Sequence, residues 1–517
     1  MSLFLAIMKR PVRLVLPLVA LGMVSACGDS PETLFAHARA DFAAENYQEA
    51  RVQLASALRG RPEDRAMLAL FVETQLRLGD PDGAEGAIAR LERAGDRDTA
   101  RMKAEAALLR QNPRRALELL GTDASSEGWR VRAESQLALG DEVEARAAFE
   151  KGLDAKPATP AGEVRLAASY ARYLLQNDDL TRAAWLLTRM QAMAPRAYET
   201  LVMAGDLASA QGREEEAARA YRKAIDAFPD RAAPMLALAN HYDGLGNLDE
   251  ASRLVEQAGN VAPGDPEVDA LRIQLMSEKG EWEKIRLALQ SRESELAAGS
   301  PLSMTYGEAL LRLGQAEQAR IIFRRAALVL PGNPYSRMML GEAQIATGDR
   351  QGAWATLAPL AASTLARPEV LERAEQAARG VGAPEAEELQ ARLDPVSLKE
   401  TMALVQQGEN ALAAQRWATA ATVYERLLAR GEDPEVLKRL AIAETGLGDH
   451  AAAIGHADKA VSLNRGSADY LYVAALARIS ARREPAEVRR LLEAAAAIDP
   501  RNQAIARDLR KAKAAAG

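Results

Sequence analysis

The sequence predicts an all-α protein, an α-solenoid of stacked helix–turn–helix units, on three observations. Small residues recur every 34 residues through the centre of the chain. Glycine and proline recur with the same period, as expected where short helices end. Apolar residues make up 48% of the chain and aromatic residues only 4%, which suits thin helical layers better than one thick core.

The composition excludes several classes of protein. The formal net charge of −6 provides no basic field for a phosphate backbone, so we expect no nucleic-acid partner. The 35 Gly and 23 Pro are ordinary for 517 residues, which excludes a collagen-like or disordered chain. A lone cysteine excludes an internal disulfide framework and a multi-cysteine metal site.

The N-terminus has the layout of a secretory signal. Lys9, Arg10 and Arg13 precede a short apolar run at residues 14–24, and small residues then lead to Cys27. The run is shorter than the roughly 20 apolar residues that a membrane-spanning helix needs. We therefore predict that residues 1–26 are a signal peptide.

The stretch V-S-A-C that ends at Cys27 resembles the lipobox of bacterial lipoproteins. The resemblance implies that Cys27 is acylated on sulfur, begins the mature chain and is followed by a lipidated spacer, residues 27–33. In such families an Asp after the cysteine favours the inner membrane. Here Gly28 follows, so the expected location is the outer membrane, facing the periplasm. The alternatives are a chance cysteine beside an ordinary signal peptide or in an uncleaved anchor, and a translation start at Met8.

Blocks of 34 residues that begin at Val164 keep four columns in phase. The eighth position is small in five of six blocks, the fifteenth is glycine in five, the twentieth is alanine in five, and proline occupies position 32 in four. The first three columns are Ala171, Gly205, Ala239, Ile273, Gly307 and Gly341; Asp178, Gly212, Gly246, Gly280, Gly314 and Gly348; and Ala183, Ala217, Ala251, Ile285, Ala319 and Ala353.

Each column has a physical reason in a helix–turn–helix unit. The small residue at position 8 lets a second helix approach the first. Glycine at position 15 allows the left-handed conformation that ends the first helix, and proline at position 32 ends the second. One such unit cannot bury its apolar face alone, so neighbouring units must stack. A long coiled coil is excluded because these glycines and prolines would interrupt it in every repeat.

This pattern resembles the tetratricopeptide repeat in its period and in all these columns. The resemblance implies a right-handed α-solenoid of about fourteen units. The expected parts are N-terminal units at 34–160, a regular central array at 161–366, a degenerate repeat at 367–395, C-terminal units at 396–500 and a capping helix at 501–517.

The same resemblance places a partner-binding groove on the concave wall, which the first helices line. The candidate residues there are Arg172, Asp206, Asn240, Met304, Glu308, Met338 and Glu342. The acidic members would favour a basic or polar partner, and the methionines would offer adaptable apolar contact. Only Asn240 fits the Lys and Asn clamp with which some family members hold a C-terminal carboxylate, so we expect no such clamp. For each of these residues, an ordinary solvated helix position is an equal alternative.

The chain shows no pattern typical of an active site. Its four histidines form no metal-ligand motif, and it has neither a nucleophile elbow nor a phosphate-binding loop. We therefore expect a protein without enzyme activity, cofactor, metal or small-molecule substrate. Trp185, Trp282 and Trp354 fall near the start of second helices and are expected to pack there. The basic residues of the tail, among them Arg507 and Lys511, are expected to complement the dipole of the last helix.

These observations favour a noncatalytic, lipid-anchored periplasmic scaffold that binds other proteins. Its layout of lipobox, short spacer and repeats resembles that of lipoproteins in exopolysaccharide export and related protein-sorting systems. A periplasmic chaperone or assembly factor for envelope or secreted clients is the alternative. An enzyme hidden in a divergent unit is a third possibility that no set of residues supports.

Overall fold

The computed structural model describes residues 29–155, 160–500 and 502–514. The predicted signal peptide, residues 1–26, and Cys27 lie outside these residues. The described chain contains 29 α-helices, one short 3-10 helix and no strand, which confirms the all-α fold class. It divides into two compact units, with the boundary between Gly121 and Thr122. None of the described helices is both long enough and apolar enough to cross a membrane.

The first unit consists of three helical pairs, in which each odd-numbered helix packs against the even-numbered helix that follows it. Its helices are α1 Pro31–Ala43, α2 Tyr47–Gly60, α3 Arg65–Arg77, α4 Pro81–Arg93, α5 Ala100–Leu109 and α6 Pro113–Leu120.

The second unit continues the same arrangement with eleven pairs and one last helix. The helices of its first half are α7 Ser126–Ala138, α8 Glu142–Asp154, α9 Pro160–Gln176, α10 Leu180–Met193, α11 Tyr198–Ala210, α12 Glu214–Ala227, α13 Ala233–Gly244, α14 Leu248–Val261, α15 Pro266–Glu278 and α16 Trp282–Gln290. After the 3-10 helix, Glu293–Glu295, the helices are α17 Pro301–Arg312, α18 Ala316–Val329, α19 Pro334–Ala346, α20 Arg350–Ala361, α21 Pro368–Val381, α22 Glu385–Arg392, α23 Pro395–Ala413, α24 Trp417–Leu428, α25 Pro434–Leu447, α26 His450–Leu463, α27 Ala468–Ala481, α28 Pro485–Ile498 and α29 Gln503–Ala514.

The first helices of successive pairs also pack side by side. From α7 to α21, each odd-numbered helix contacts the next odd-numbered helix, and α25 contacts α27 in the same way. The first helices therefore form a continuous wall from α7 to α21, as the stacking of repeats requires.

The backbone confirms the predicted turn column. All five glycines at position 15 have φ between +68° and +81°. Asp178 stands where the first block lacks glycine, and it adopts the same left-handed conformation, with φ of +58°. The turn geometry is therefore common to all six blocks, and the array holds Asp178 in a conformation that is unfavourable for a side chain with a Cβ.

The small residue at position 8 faces the large residue at position 24 of the same repeat. A Cβ on Gly341 would lie 2.5 Å from Cγ of Leu357, and one on Gly307 would lie 2.9 Å from Cζ of Phe323. Leu357 and Phe323 are fully buried. Their side chains occupy the space that a Cβ would need, so the glycines set the separation of the two helices.

Polar contacts join the helices on the two sides of the degenerate stretch. The loop between α20 and α21 contacts the start of α25, because Asp433 accepts hydrogen bonds from the Thr364 N–H and the Ser363 hydroxyl. Arg392, at the end of α22, donates to the carbonyl oxygens of Ala361 and Ser363 at 2.5 and 2.6 Å. Polar contacts of this loop thus join the central helices to the C-terminal ones.

One predicted packing residue is on the surface instead. The side chain of Trp185 is 51% exposed on α10, with the Arg189 guanidinium over its ring. Trp282 and Trp354 are half-buried against apolar clusters, as expected. The expectation for Trp185 was wrong because its position on α10 faces outward, whereas the neighbouring Leu186 and Leu187 point into the core.

Candidate functional site

The ninth positions of the repeats form a row along the wall of first helices, which we call the first-helix face. It comprises the ninth-position residues of the six first helices from α9 to α19, with the charged side chains that bind them. The ninth-position residues are Arg172, Asp206, Asn240, Gln274, Glu308 and Glu342. Four of them carry charge, so their partners decide what the face offers to another molecule.

Glu308 and Glu342 are brought together by Arg312, which is not among the predicted groove residues. Arg312 donates from Nη2 to Glu308 at 3.1 Å and from Nη1 to Glu342 at 2.9 Å. Arg373, on α21, donates to the other oxygen of Glu342 at 2.6 Å. The Tyr335 hydroxyl donates to Glu308 at 2.9 Å. A charge-assisted network therefore joins α17, α19 and α21.

Asp206 lies in a different environment. The Tyr221 hydroxyl donates to it at 2.7 Å, across the two helices of one repeat. Burial raises the pKa of the Asp206 carboxyl above its ordinary value, although Tyr221 and the charge of Arg172 favour the ionised form. Arg172 itself is exposed on α9. This part of the face thus presents one exposed guanidinium and one enclosed carboxyl.

The remaining candidates differ in how much they expose. Asn240 is exposed on α13. Met304 is 7% exposed and belongs to the apolar core around α17, so it offers little surface to a partner. Met338 is half-buried between the cores around α17 and α20. Of the two methionines, only Met338 can provide apolar contact.

The C-terminal helices contain a second network of the kind that joins Glu308 to Glu342. Arg439 donates to Glu409 at 2.5 Å and to Glu435 at 2.7 Å. Tyr424 and Tyr470 donate to the same two carboxylates at 3.2 and 2.7 Å. In both networks one arginine bridges the carboxylates of two neighbouring first helices. Tyrosine hydroxyls donate to both carboxylates here, and to Glu308 in the network described above.

Glu409 is not among the predicted groove residues, although the sequence carries a signal for it. Glu409 follows Gly408, whose Cβ would lie 2.9 Å from Cζ of Tyr424, so it occupies the ninth position of its repeat. Tyr424 follows Glu409 by 15 residues, the spacing that also separates Tyr221 from Asp206. Arg312 could have been found from its i, i+4 spacing to Glu308.

The charges of the first-helix face are balanced. Glu308 and Glu342 are matched by Arg312 and Arg373, and Asp206 is opposed by Arg172. Of the basic or polar partner that the acidic residues favour, this balance fits the polar one better. The face offers polar groups held in fixed positions, which suits recognition of a mixed polar surface. Among the described residues, no group of three or more His, Cys, Asp or Glu side chains could hold a metal ion.

Comparison with known proteins identifies the repeats. One tetratricopeptide repeat model matches residues 161–232 and 405–468, and another matches residues 208–275. These matches confirm the predicted repeat family for residues 161–275 and 405–468. No curated protein matches the chain.

Solved structures with similarity to this chain include the anaphase-promoting complex hetero-tetramer Cut9–Hcn1, with 16% identity over 93% of this chain and 96% of that one, at a TM-score of 0.35. The human IFIT1 dimer with PPP-AAAA has 14% identity over 75% and 94%, at a TM-score of 0.37. Naa15/Naa10 bound to HypK-THB has 14% identity over 92% and 64%, at 0.27.

Proposed function

Because the chain contains tetratricopeptide repeats, we propose that it is a noncatalytic scaffold whose first-helix face binds other proteins. The observation that carries the proposal is the network that runs from Glu308 through Arg312 to Glu342 and Arg373. It holds polar side chains of three helices in fixed positions on one wall. A partner would meet a preorganised surface, and fewer side chains would lose freedom on binding.

The proposed site of action is the bacterial envelope. The lipobox at Cys27 would anchor the protein to the outer membrane, and the repeats would face the periplasm. A place in the assembly of an exopolysaccharide or protein export system is supported by the layout of the sequence. A scaffold of this kind would join a membrane component to a periplasmic one.

Site-specific photo-crosslinking tests the binding face. Benzoylphenylalanine at Asn240 would lie on the first-helix face, and at Leu328 it would lie on α18, where the side chain is 77% exposed. We expect one abundant crosslinked protein from position 240 and little from position 328. Equal products from the two positions would contradict binding by this face. A wide range of unfolded clients from position 240 would point to the chaperone function instead.

The anchor has its own test. Cell fractionation of the wild type beside Cys27→Ser, with mass spectrometry of the mature N-terminus, would follow the acyl chain directly. We expect the wild type in the outer membrane with an acylated Cys27, and the variant released from it. Identical distributions without any acyl group would refute the lipid anchor and leave the binding face untouched.

A further inference from the structure

The last helix of the second unit contacts the first helical pair of that unit. Arg507, on α29, donates from Nη1 to the carbonyl oxygen of Gly140 at 2.6 Å. Lys511, one turn further along α29, lies 3.0 Å from the Asp141 carboxylate. Gly140 and Asp141 form the turn between α7 and α8. The hydrogen bond between Arg507 and Gly140 therefore joins residues that are 367 positions apart in the chain.

The turn between α7 and α8 is arranged to receive these cations. Gly140 takes φ of +76°, the left-handed turn conformation of the repeats. Asp141 is the N-cap residue of α8, yet its carboxylate accepts no hydrogen bond from the first turn of that helix. At the equivalent turns Asp179, Asp349 and Asp449 do cap their helices. The carboxylate of Asp141 instead faces Lys511, at 16% side-chain exposure.

Hydrogen bonds within the C-terminal helices also orient the Arg507 side chain. Its guanidinium donates to Asp508 at 2.8 Å, and Asp508 also accepts the Tyr472 hydroxyl of α27 at 2.7 Å. Burial opposes the ionisation of Asp508, but Arg507 and Tyr472 together keep its pKa below the ordinary value. The side chain of Arg507 is thus fixed from both sides, so little conformational freedom remains to be lost at the contact.

We propose that α29 is a latch that closes the second unit by binding the turn between α7 and α8, and that raising the ionic strength opens it. Ile505 is fully buried against the preceding helices, so α29 stays attached to α28 when the latch opens. Lys511 is 56% exposed in its ion pair with Asp141, so salt screens the pair, because the Debye length falls to about 3 Å at 1 M salt. Opening would separate the two ends of the second unit, and entry of a partner to the first-helix face would then increase. Only this last consequence rests on the proposed function.

Distance measurement by pulsed electron paramagnetic resonance tests the latch without any partner. The full chain, with Cys27→Ser, would carry spin labels at Val143→Cys on α8 and Arg510→Cys on α29, both exposed positions. We expect a short, narrow distance distribution at low salt. In Arg507→Ala/Lys511→Ala, and in the parent at 1 M salt, the short distance should be lost in most molecules. Long distances in the parent at low salt would overturn the proposal.

A matched control removes the same number of cations elsewhere. Arg489→Ala/Lys513→Ala takes two positive charges from α28 and α29, and Lys513 pairs with Glu493 rather than with the turn. This variant should keep the short distance, and loss of that distance would show that net charge, not the latch, is responsible. Hydrogen exchange of residues 503–514 should stay slow in Arg507→Ala/Lys511→Ala. Fast exchange there would mean that α29 melts, and it would contradict a latch that opens as a folded helix.

Discussion

Asp433, at the N-terminus of α25, accepts a hydrogen bond at 2.5 Å from the backbone N–H of Thr364, which lies 69 residues earlier in the chain. The same carboxylate accepts the Ser363 hydroxyl at 2.9 Å and caps α25 through the Glu435 N–H at 2.8 Å. It is 2% exposed. One buried side chain therefore caps α25 and also binds the loop between α20 and α21, which lies on the other side of the degenerate repeat.

Asp433→Ala is expected to destabilise the C-terminal helices more than the loss of a cap alone. Losing the cap should cost about 1 kcal/mol, and leaving the Thr364 N–H without its acceptor should add about 1–3 kcal/mol. Asp449→Ala is the control, since Asp449 caps α26 through the Ala452 N–H. Urea denaturation of the two variants measures the difference. Equal losses of stability would contradict a fastening role for Asp433.

Gly341→Ala is expected to lower stability by about 1–3 kcal/mol, because the new Cβ would meet the buried Leu357 side chain. Gly455→Ala is the matched change in the middle of α26, where nothing lies within 4 Å of the added Cβ. It should raise stability by about 0.5–1 kcal/mol, as expected for alanine in an exposed helix. Calorimetric melting temperatures compare the two, and a shift of the same sign in both would count against the prediction.

Asp206→Asn is expected to stabilise the protein at pH 7. The pKa of Asp206 is raised in the folded state by burial, so the folded protein binds the proton more tightly than the unfolded chain does. Stability therefore falls as pH rises from about 3.8 through the folded pKa. The amide oxygen can still accept the Tyr221 hydroxyl. The advantage of the variant should shrink as pH is lowered towards 4, which denaturation at a series of pH values would measure.

Asp508→Asn should show the opposite dependence. The pKa of Asp508 is lowered in the folded state, so its ionised form contributes stability that is present above 3.8 and lost as pH falls through the folded pKa. The variant should be less stable than the parent at pH 7, and the two should converge in acid. A constant difference at all pH values would show that packing, not charge, explains the loss.

Trp185→Ala is expected to change stability by less than about 1 kcal/mol, since half of the side chain is exposed on α10. Trp417→Ala should cost clearly more, roughly 2 kcal/mol, because that ring lies against Gly446 where a Cβ would not fit. Urea denaturation of the two variants decides this. A larger loss for Trp185→Ala would contradict the outward position of its ring.

The regular repeats were predictable from sequence because their constraints are local. Gly246 and its equivalents end the first helices, and the position 8 residues allow close packing within a single repeat, so each unit carries its own signals. Asp178 shows that the stacked units impose the same turn on a residue that does not favour it. The row of ninth-position residues also followed from the period, apart from Glu409, which lies beyond the degenerate stretch.

Contacts between different repeats could not be predicted in this way. The pairing of Glu342 with Arg373 depends on how α19 and α21 are rotated against each other, and no spacing in one repeat encodes that rotation. The approach of Arg507 to Gly140 depends on the small rotations between all the intervening units, added together. The sequence by itself therefore determined the repeat, its turns and the face that the first helices form. Only the tertiary structure decided which charges on that face are paired, because pairing depends on the rotation between neighbouring first helices. It also decided that the last helix reaches the first pair of the second unit, because that contact depends on geometry summed over many repeats.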